Sequence, residues 1–287
     1  MIYVRLVGGL GNQLFQYACA RALALRHGVD VVLDTRELAR GAAHAIYGLD
    51  RFAISARIGA ESELPPARSQ FMRYALWRAG LMQPRFLREK GLALNPTVLA
   101  APDGTYLHGY FQSEGYFRDQ VATIREELRF LSAPEGENAL WLDKINAEAR
   151  SVSLHVRRGD YVRSAKGQAV HGTCDASYYA RAVEELRRRT GIEPLLFVFS
   201  DDPVWARKNL QPGAEMVVLD HNTAAAGAED LRLMAACRHH ITANSSFSWW
   251  GAWRNASPDK VVIAPSRWFA DPRLRNPDIC PADWVRV

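Results

Sequence analysis

Short runs rich in β-branched and aromatic residues alternate along this chain with stretches of helical spacing, and most crossovers are a dozen or more residues long. That alternation argues for parallel sheets built from strand–helix–strand units. The first unit is complete within the opening segment. A strand over 2–7 enters the turn Gly8-Gly9-Leu10-Gly11, and Leu14, Ala18, Ala22 and Leu25 then recur at spacings of four and three. Gly28 suits a helix end, and Val29 to Asp34 reads as the next strand. The second half repeats the scheme: strands over 151–156, 195–199, 215–219, 239–243 and 260–264 alternate with helices from Asp175 to Gly191, after Asp202-Pro203, over about 229–237 and over 245–254. Between 35 and 105, Gly41, Pro65-Pro66, Gly80, Pro84, Pro96 and Pro102 interrupt weak helical patterns, so connecting helices and loops are expected there. A strand over 106–112, a helix through 118–129 and a linker over 132–138 follow. The expectation is an α/β protein with two domains, 1–140 and 141–287, in keeping with about 150 residues per domain.

At 48% hydrophobic and 23% charged residues, the composition excludes a disordered or collagen-like chain. The longest apolar runs, Leu195–Phe199 and Val261–Ala264, fall far short of the roughly 18 residues that a membrane-spanning helix needs. The chain opens directly into a strand, so no signal peptide is expected. Cys19, Cys174, Cys237 and Cys280 lie far apart with no Cys-x-x-Cys pair. Neither a zinc knuckle nor a disulfide frame is expected, and reduced thiols in a cytoplasm are. A net charge of +5 suits an anionic partner. The basic residues are scattered, dense only at Arg157-Arg158 and in the helical run Arg187–Arg189, and no nucleic-acid-binding module is recognisable, so nucleic acid is not an expected partner.

In open parallel sheets ligands bind beyond the carboxyl ends of the strands. After the first strand stands Gly8-Gly9-Leu10-Gly11-Asn12-Gln13. It fails the dinucleotide fingerprint, because the third glycine position is Leu14. Gly11, Asn12 and Gln13 suit either a ligand-facing loop or a purely structural turn. After strand 151–156 comes His155-Val-Arg-Arg-Gly-Asp-Tyr161, and alternation puts His155 and Arg157 on one side. Arg157 can fork onto a diphosphate or pair with Asp160. Asn244-Ser245-Ser246-Phe247 opens a Trp-rich helix with no acid in its first turn, as a plain N-cap or as an anion site. Ser200-Asp201-Asp202 can hold a sugar hydroxyl or cap the next helix, and Glu229-Asp230 can meet a ligand or serve the helix dipole. Asp-x-Asp, a common metal–diphosphate grip, does not occur.

Four stretches together resemble the bacterial α-1,2-fucosyltransferases of glycosyltransferase family 11: Gly8 to Tyr17, Gly109-Tyr-Phe-Gln-Ser113, His155 to Tyr161, and Asn244-Ser-Ser-Phe-Ser-Trp-Trp-Gly251. The His-x-Arg-Arg-x-Asp segment is shared more widely among fucosyltransferases, whereas the first and last stretches point to this family. The resemblance implies a GT-B architecture, two Rossmann-like domains facing across a cleft. The C-terminal domain would hold GDP-β-L-fucose and the N-terminal domain would contribute to the acceptor site. By the same resemblance, Arg157 would neutralise the β-phosphate; Asn244, Ser245, Ser246 and Phe247 would hold the diphosphate; His155 and Asp230 would address guanine. Asp160 and His155 are the candidates for a general base. The implied reaction is inverting transfer of L-fucose to the 2-hydroxyl of a terminal β-galactoside, with no cofactor and no metal. A cytoplasmic enzyme with peripheral contact at the inner membrane face, acting on lipid-linked glycans, is the expectation.

Overall fold

Two parallel sheets organise the chain in the computed structural model, which describes residues 1–38, 46–159, 162 and 165–287. The first sheet contains β1 (Ile2–Arg5), β2 (Val31–Asp34), β3 (Arg57–Ile58), β4 (Arg85–Arg88) and β5 (Thr105–His108), in the order β3-β2-β1-β5-β4. The second contains β6 (Ser151–Val156), β7 (Leu195–Ser200), β8 (Glu215–Leu219), β9 (His239–Ile241), β10 (Val262–Ala264) and β11 (Val285–Arg286), in the order β11-β10-β9-β6-β7-β8. Every strand pairing is parallel. In each sheet the chain leaves the central strand toward one edge and later returns on its other side. The strand order therefore reverses between β1 and β5, and again between β6 and β9, and such reversal points are where open sheets accept ligands.

The elements form for local reasons. In the Leu10–His27 helix every residue from Leu14 to Ala24 except Arg21 is buried, and the chain exits through Gly28 at φ 65°, the left-handed turn that glycine allows at no steric cost. The second core joins Val152, Leu154 and Val156 of β6 to Tyr179, Val183 and Leu186 of the Ala176–Thr190 helix, capped by Asp175. Trp249, Trp250 and Trp253 of the Ser246–Arg254 helix are fully buried, as packing residues. A Cβ on Gly251 would lie 3.0 Å from Met234 Cβ, so glycine lets this helix close on Gly227–Ala236.

The chain divides into one unit of Met1–Leu131 with Pro277–Ile279 and another of Ser132–Asn276 with Cys280–Val287. The division lies upstream of the 140 expected because the Gly136–Ala147 helix packs on Gly227–Ala236, and its Asn138 bonds Asn222. Further differences lie in both halves of the chain. The strand expected over 106–112 stops at His108, since Phe111 adopts φ 53° and the amides of Tyr110 and Phe111 turn to Glu89 Oε2 at 2.8 and 3.0 Å. Within the stretch expected to hold no strands, β3 and β4 join the sheet. They are two and four residues long, too short for periodicity to register. β11 and the Ala165–Val170 helix were likewise not anticipated.

Candidate functional site

The reversal point of the second sheet gathers most of the residues singled out from the sequence. Leu154 of β6 pairs with Ile241 of β9, so the segments following both strands emerge side by side. Arg157 follows β6 and lies 3.1 Å from Asp201 Oδ2, both side chains about a quarter exposed. Asp201 Oδ1 also accepts the Arg158 amide at 2.8 Å. The carboxylate thus clamps the turn after β6 from the next strand and holds the guanidinium at the sheet edge. Asp201 is thus a partner of Arg157 that the sequence reading did not name; the pairing with Asp160 considered above falls outside the described residues. The register carries the signal that sequence reading missed: Val156 stands opposite Ser200, so the residues one step further on meet. Gly159 serves the same clamp, because a Cβ there would sit 2.6 Å from Asp201 Oδ2. Arg158 turns away, its guanidinium 4.0 Å from the Trp205 ring centroid.

After β9, Ser245 caps the Ser246–Arg254 helix by accepting the Phe247 amide at 3.3 Å, and no acid occupies the first turn. Amides and the positive end of the helix dipole therefore lie beside Arg157's strand, an arrangement suited to an anion. Direct contact ties the two strand ends together: the His155 ring packs 5.6 Å from the Phe247 ring. His155 is 4% exposed, and its buried Nδ1 has no hydrogen-bond partner among the described residues. Burial, with Arg157's charge adding and Asp201 opposing, holds the imidazole down at a pKa of about 4. It is neutral at pH 7.

Asn244 is placed differently from the expectation that it would hold a ligand. Its Nδ2 donates to the carbonyls of His171 and Trp268 at 3.0 and 3.1 Å, and Cys174 Sγ donates to its Oδ1 at 3.7 Å. The side chain is spent on fixing two loops around the helix start. Ser200 Oγ accepts the Asp202 amide at 2.9 Å and Asp202 caps the Pro203–Asn209 helix, so of the two readings above the structure favours capping. Asp230 lies in the first turn of Gly227–Ala236 and accepts Asn222 Nδ2 at 2.8 Å. Burial, aided by Glu229 and opposed by that hydrogen bond, pushes its carboxyl up to about 7. A cavity of 380 Å³ opens beside Asn244, lined among others by Asp175, Arg181, Ser266 and Phe269; His155, Arg157 and Asp230 do not border it.

At the reversal point of the first sheet the polar groups close on themselves. Buried Gln13 donates to the carbonyls of Gly8 and Ile46 and accepts the Gly48 amide. Gln16 Oε1 accepts the Val7 amide, and its Nε2 reaches the carbonyls of Val7 and Gly109 at 3.2 Å each, stitching the segment after β1 to that after β5. Gln112 donates to Asn12 Oδ1 at 2.9 Å, and Gly11 is buried. Gln13 is therefore a structural clamp. Among the described residues no three His, Cys, Asp or Glu side chains gather as a metal-ligand set. No helix among them is long and apolar enough to cross a membrane.

The model of the family described as glycosyl transferase family 11 matches residues 4–287. An alpha-1,2-colitosyltransferase of Escherichia coli is 32% identical, covering 100% of this chain and 99% of its own. A galactoside alpha-(1,2)-fucosyltransferase 1 of Sus scrofa is 26% identical over 90% of this chain and 66% of its own. Among solved structures, a mutant of Arabidopsis thaliana FUT1 in complex with GDP superposes with a TM-score of 0.54 at 13% identity, covering 94% of this chain and 75% of that one. That likeness is one of fold and agrees with two Rossmann-like units of the GT-B type.

Proposed function

Because the chain belongs to glycosyl transferase family 11, we propose that this glycosyltransferase moves L-fucose, with inversion, from GDP-β-L-fucose to the 2-hydroxyl of a terminal β-galactoside. The observation that carries the reading is the pairing of the Arg157 guanidinium with the acid-poor start of the Ser246–Arg254 helix at one sheet reversal point. When GDP leaves, negative charge grows on its β-phosphate. Arg157, preset by Asp201, meets that charge with little reorganisation, which is where a transferase gains most, and the helix start adds to it as the Phe247 amide passes from the Ser245 hydroxyl to the phosphate. Ser246 and Phe247 supply the amides of the first turn. His155 and Asp230 address the guanine, Asp230 by accepting its N1 and N2 hydrogens. With His155 on the guanine, Asp160 is the group that takes the acceptor hydroxyl's proton. The charge on the diphosphate is met by protein groups, so the reaction needs neither metal nor cofactor. The acceptor in the cell is a lipid-linked surface glycan at the cytoplasmic membrane face.

The test is GDP release by the purified protein from GDP-fucose and lactose in excess EDTA, beside Arg157→Ala. Acceptor-dependent turnover that the variant loses supports the reading; absence of both turnover and GDP binding overturns it. The Escherichia coli relative favours a second donor, GDP-colitose, whose sugar is the 3-deoxy counterpart of fucose. A site that hydrogen-bonds the 3-hydroxyl rejects the deoxy sugar strongly, whereas an apolar one discriminates weakly. Competing the two donors in one reaction decides between them.

A further inference from the structure

Helices on protein surfaces ordinarily turn their apolar side inward. The Phe71–Arg78 helix does the reverse. Trp77 alone is buried, donating its indole N–H to the Pro84 carbonyl at 2.6 Å and packing edge-on against Phe86 and Tyr106. The opposite side, at spacings of one, three and four, presents Phe71, Met72, Ala75 and Leu76 to solvent. Phe71 and Met72 are 73% and 71% exposed, and Leu81, just past the helix, is 73% exposed. The segment from Pro65 to Arg88 carries Arg68, Arg73, Arg78, Arg85 and Arg88 and no acidic residue, although the chain as a whole holds 36 basic against 31 acidic residues. All five arginines are exposed, and among the described residues no ion pair joins any of them to a carboxylate.

An apolar ridge flanked by unopposed arginines matches the boundary of an anionic bilayer: acyl chains take up the ridge, and lipid phosphates the guanidiniums. We propose that this face of the first unit docks on the surface of a membrane containing anionic lipid. Trp77 fastens the helix to the sheet while Phe71, Met72 and Leu81 enter the headgroup boundary. Arg68, Arg73 and Arg85 lie along the phosphates. Net charge selects this occupant: a second copy of the chain would bring the same five arginines against these five. The inference stands apart from the donor reading, since failed vesicle binding with intact transfer defeats only the former.

The experiment is co-sedimentation of the full chain with vesicles of phosphatidylcholine alone and of phosphatidylcholine mixed with phosphatidylglycerol. Transfer to soluble lactose and light scattering are followed in parallel. Binding to the mixed vesicles at least about tenfold tighter than to neutral ones, weakened by salt, is expected. Phe71→Ser with Met72→Ser and Leu81→Ser, and separately Arg68→Gln with Arg73→Gln and Arg85→Gln, should each reduce it about tenfold or more while soluble transfer persists. Equal binding to both vesicle types, no binding at low salt, or self-association that the apolar variant abolishes without any vesicle binding overturns the proposal.

Discussion

At the reversal point of the first sheet, Gln13 and Gln16 spend their amides on the backbone around β1 and β5, and Gln112 meets Asn12. At the corresponding point of the second sheet stand a guanidinium, one clamping carboxylate, a neutral histidine and a helix start without acids. The topology is the same, both following helices start without acids, and the polar groups are used differently. Neutral amide networks lock the turn in place, and the guanidinium that does stand there, Arg5 at the end of β1, is engaged by His108 of β5 and by Glu37, each at 2.9 Å. The second site keeps a cation at the sheet edge, clamped by a carboxylate held from the neighbouring strand. Shared architecture thus says where a ligand can bind, and residue chemistry says which unit is suited to an anion.

The sharpest way to break this comparison is Arg157→Ala. Loss of one preorganised cation should lower kcat about a hundredfold or more, with a melting temperature close to that of the native chain; steady-state GDP release and calorimetry read both. Arg157→Lys should recover part of the rate, since an ammonium keeps the charge without the fork.

Gln16→Ala is the mirror experiment in the first unit. It removes a fully buried side chain and strips partners from the part-buried Val7 amide and the carbonyls of Val7 and Gly109, so about 1–3 kcal/mol of stability should go. GDP affinity should hold. Chemical denaturation followed with nucleotide titration separates the two.

The pH dependence of stability sharpens the picture within the second site. His155 titrates near 4 in the fold against an ordinary value of 6.5, so its contribution is complete above pH 6.5 and is lost as pH falls toward 4, at most about 3 kcal/mol. Asp230 runs the other way: with its pKa raised from 3.8 to about 7, its contribution is complete below pH 4 and fades as pH rises to 7. The two slopes oppose each other. His155→Phe should therefore make the protein lose stability more steeply as pH rises between 4 and 7, and Asp230→Asn should make it gain stability more steeply; unfolding across that range reads each.

Gly8→Ala is the smallest effect. Gly8 sits at φ 82° with Asn12 Nδ2 2.5 Å from where a Cβ would lie, so about 1–2 kcal/mol of stability should go while the second site's nucleotide binding is unchanged. A shift of Tm without a shift of GDP affinity is the expected pattern.

β11 and the Ala165–Val170 helix gave no periodic signal, but most of the order of strands and helices in the second half was legible. β6, β7 and the Ala176–Thr190 helix are long enough to show their period, the three-residue β10 sits within a longer apolar run, and Asp175, Gly191 and Ser245 punctuate the helices where the structure bounds them. The strand ends carrying Arg157 and Ser245 could be found for the same reason. β3 and β4 escaped notice: strands of two and four residues carry almost no periodic signal, and it is pairing with β2 and β5 that makes them strands. The inward turn of Gln13 and the expenditure of Asn244 on His171 and Trp268 were equally unreadable, because an amide at a helix start looks alike whether it faces a ligand or a neighbouring loop.

Local pattern and residue type, then, were enough to establish from the sequence an α/β chain in two units, its glycine and serine helix starts, and an arginine at a strand end. Tertiary structure alone decided that Asp201 holds Arg157, that His155 is buried neutral against Phe247, and that Phe71 and Met72 face outward over Trp77. Periodicity and capping act within a few residues of chain. Which carboxylate meets which guanidinium, and which side of a helix is covered, depends on strands that become neighbours only after long stretches of chain have folded between them.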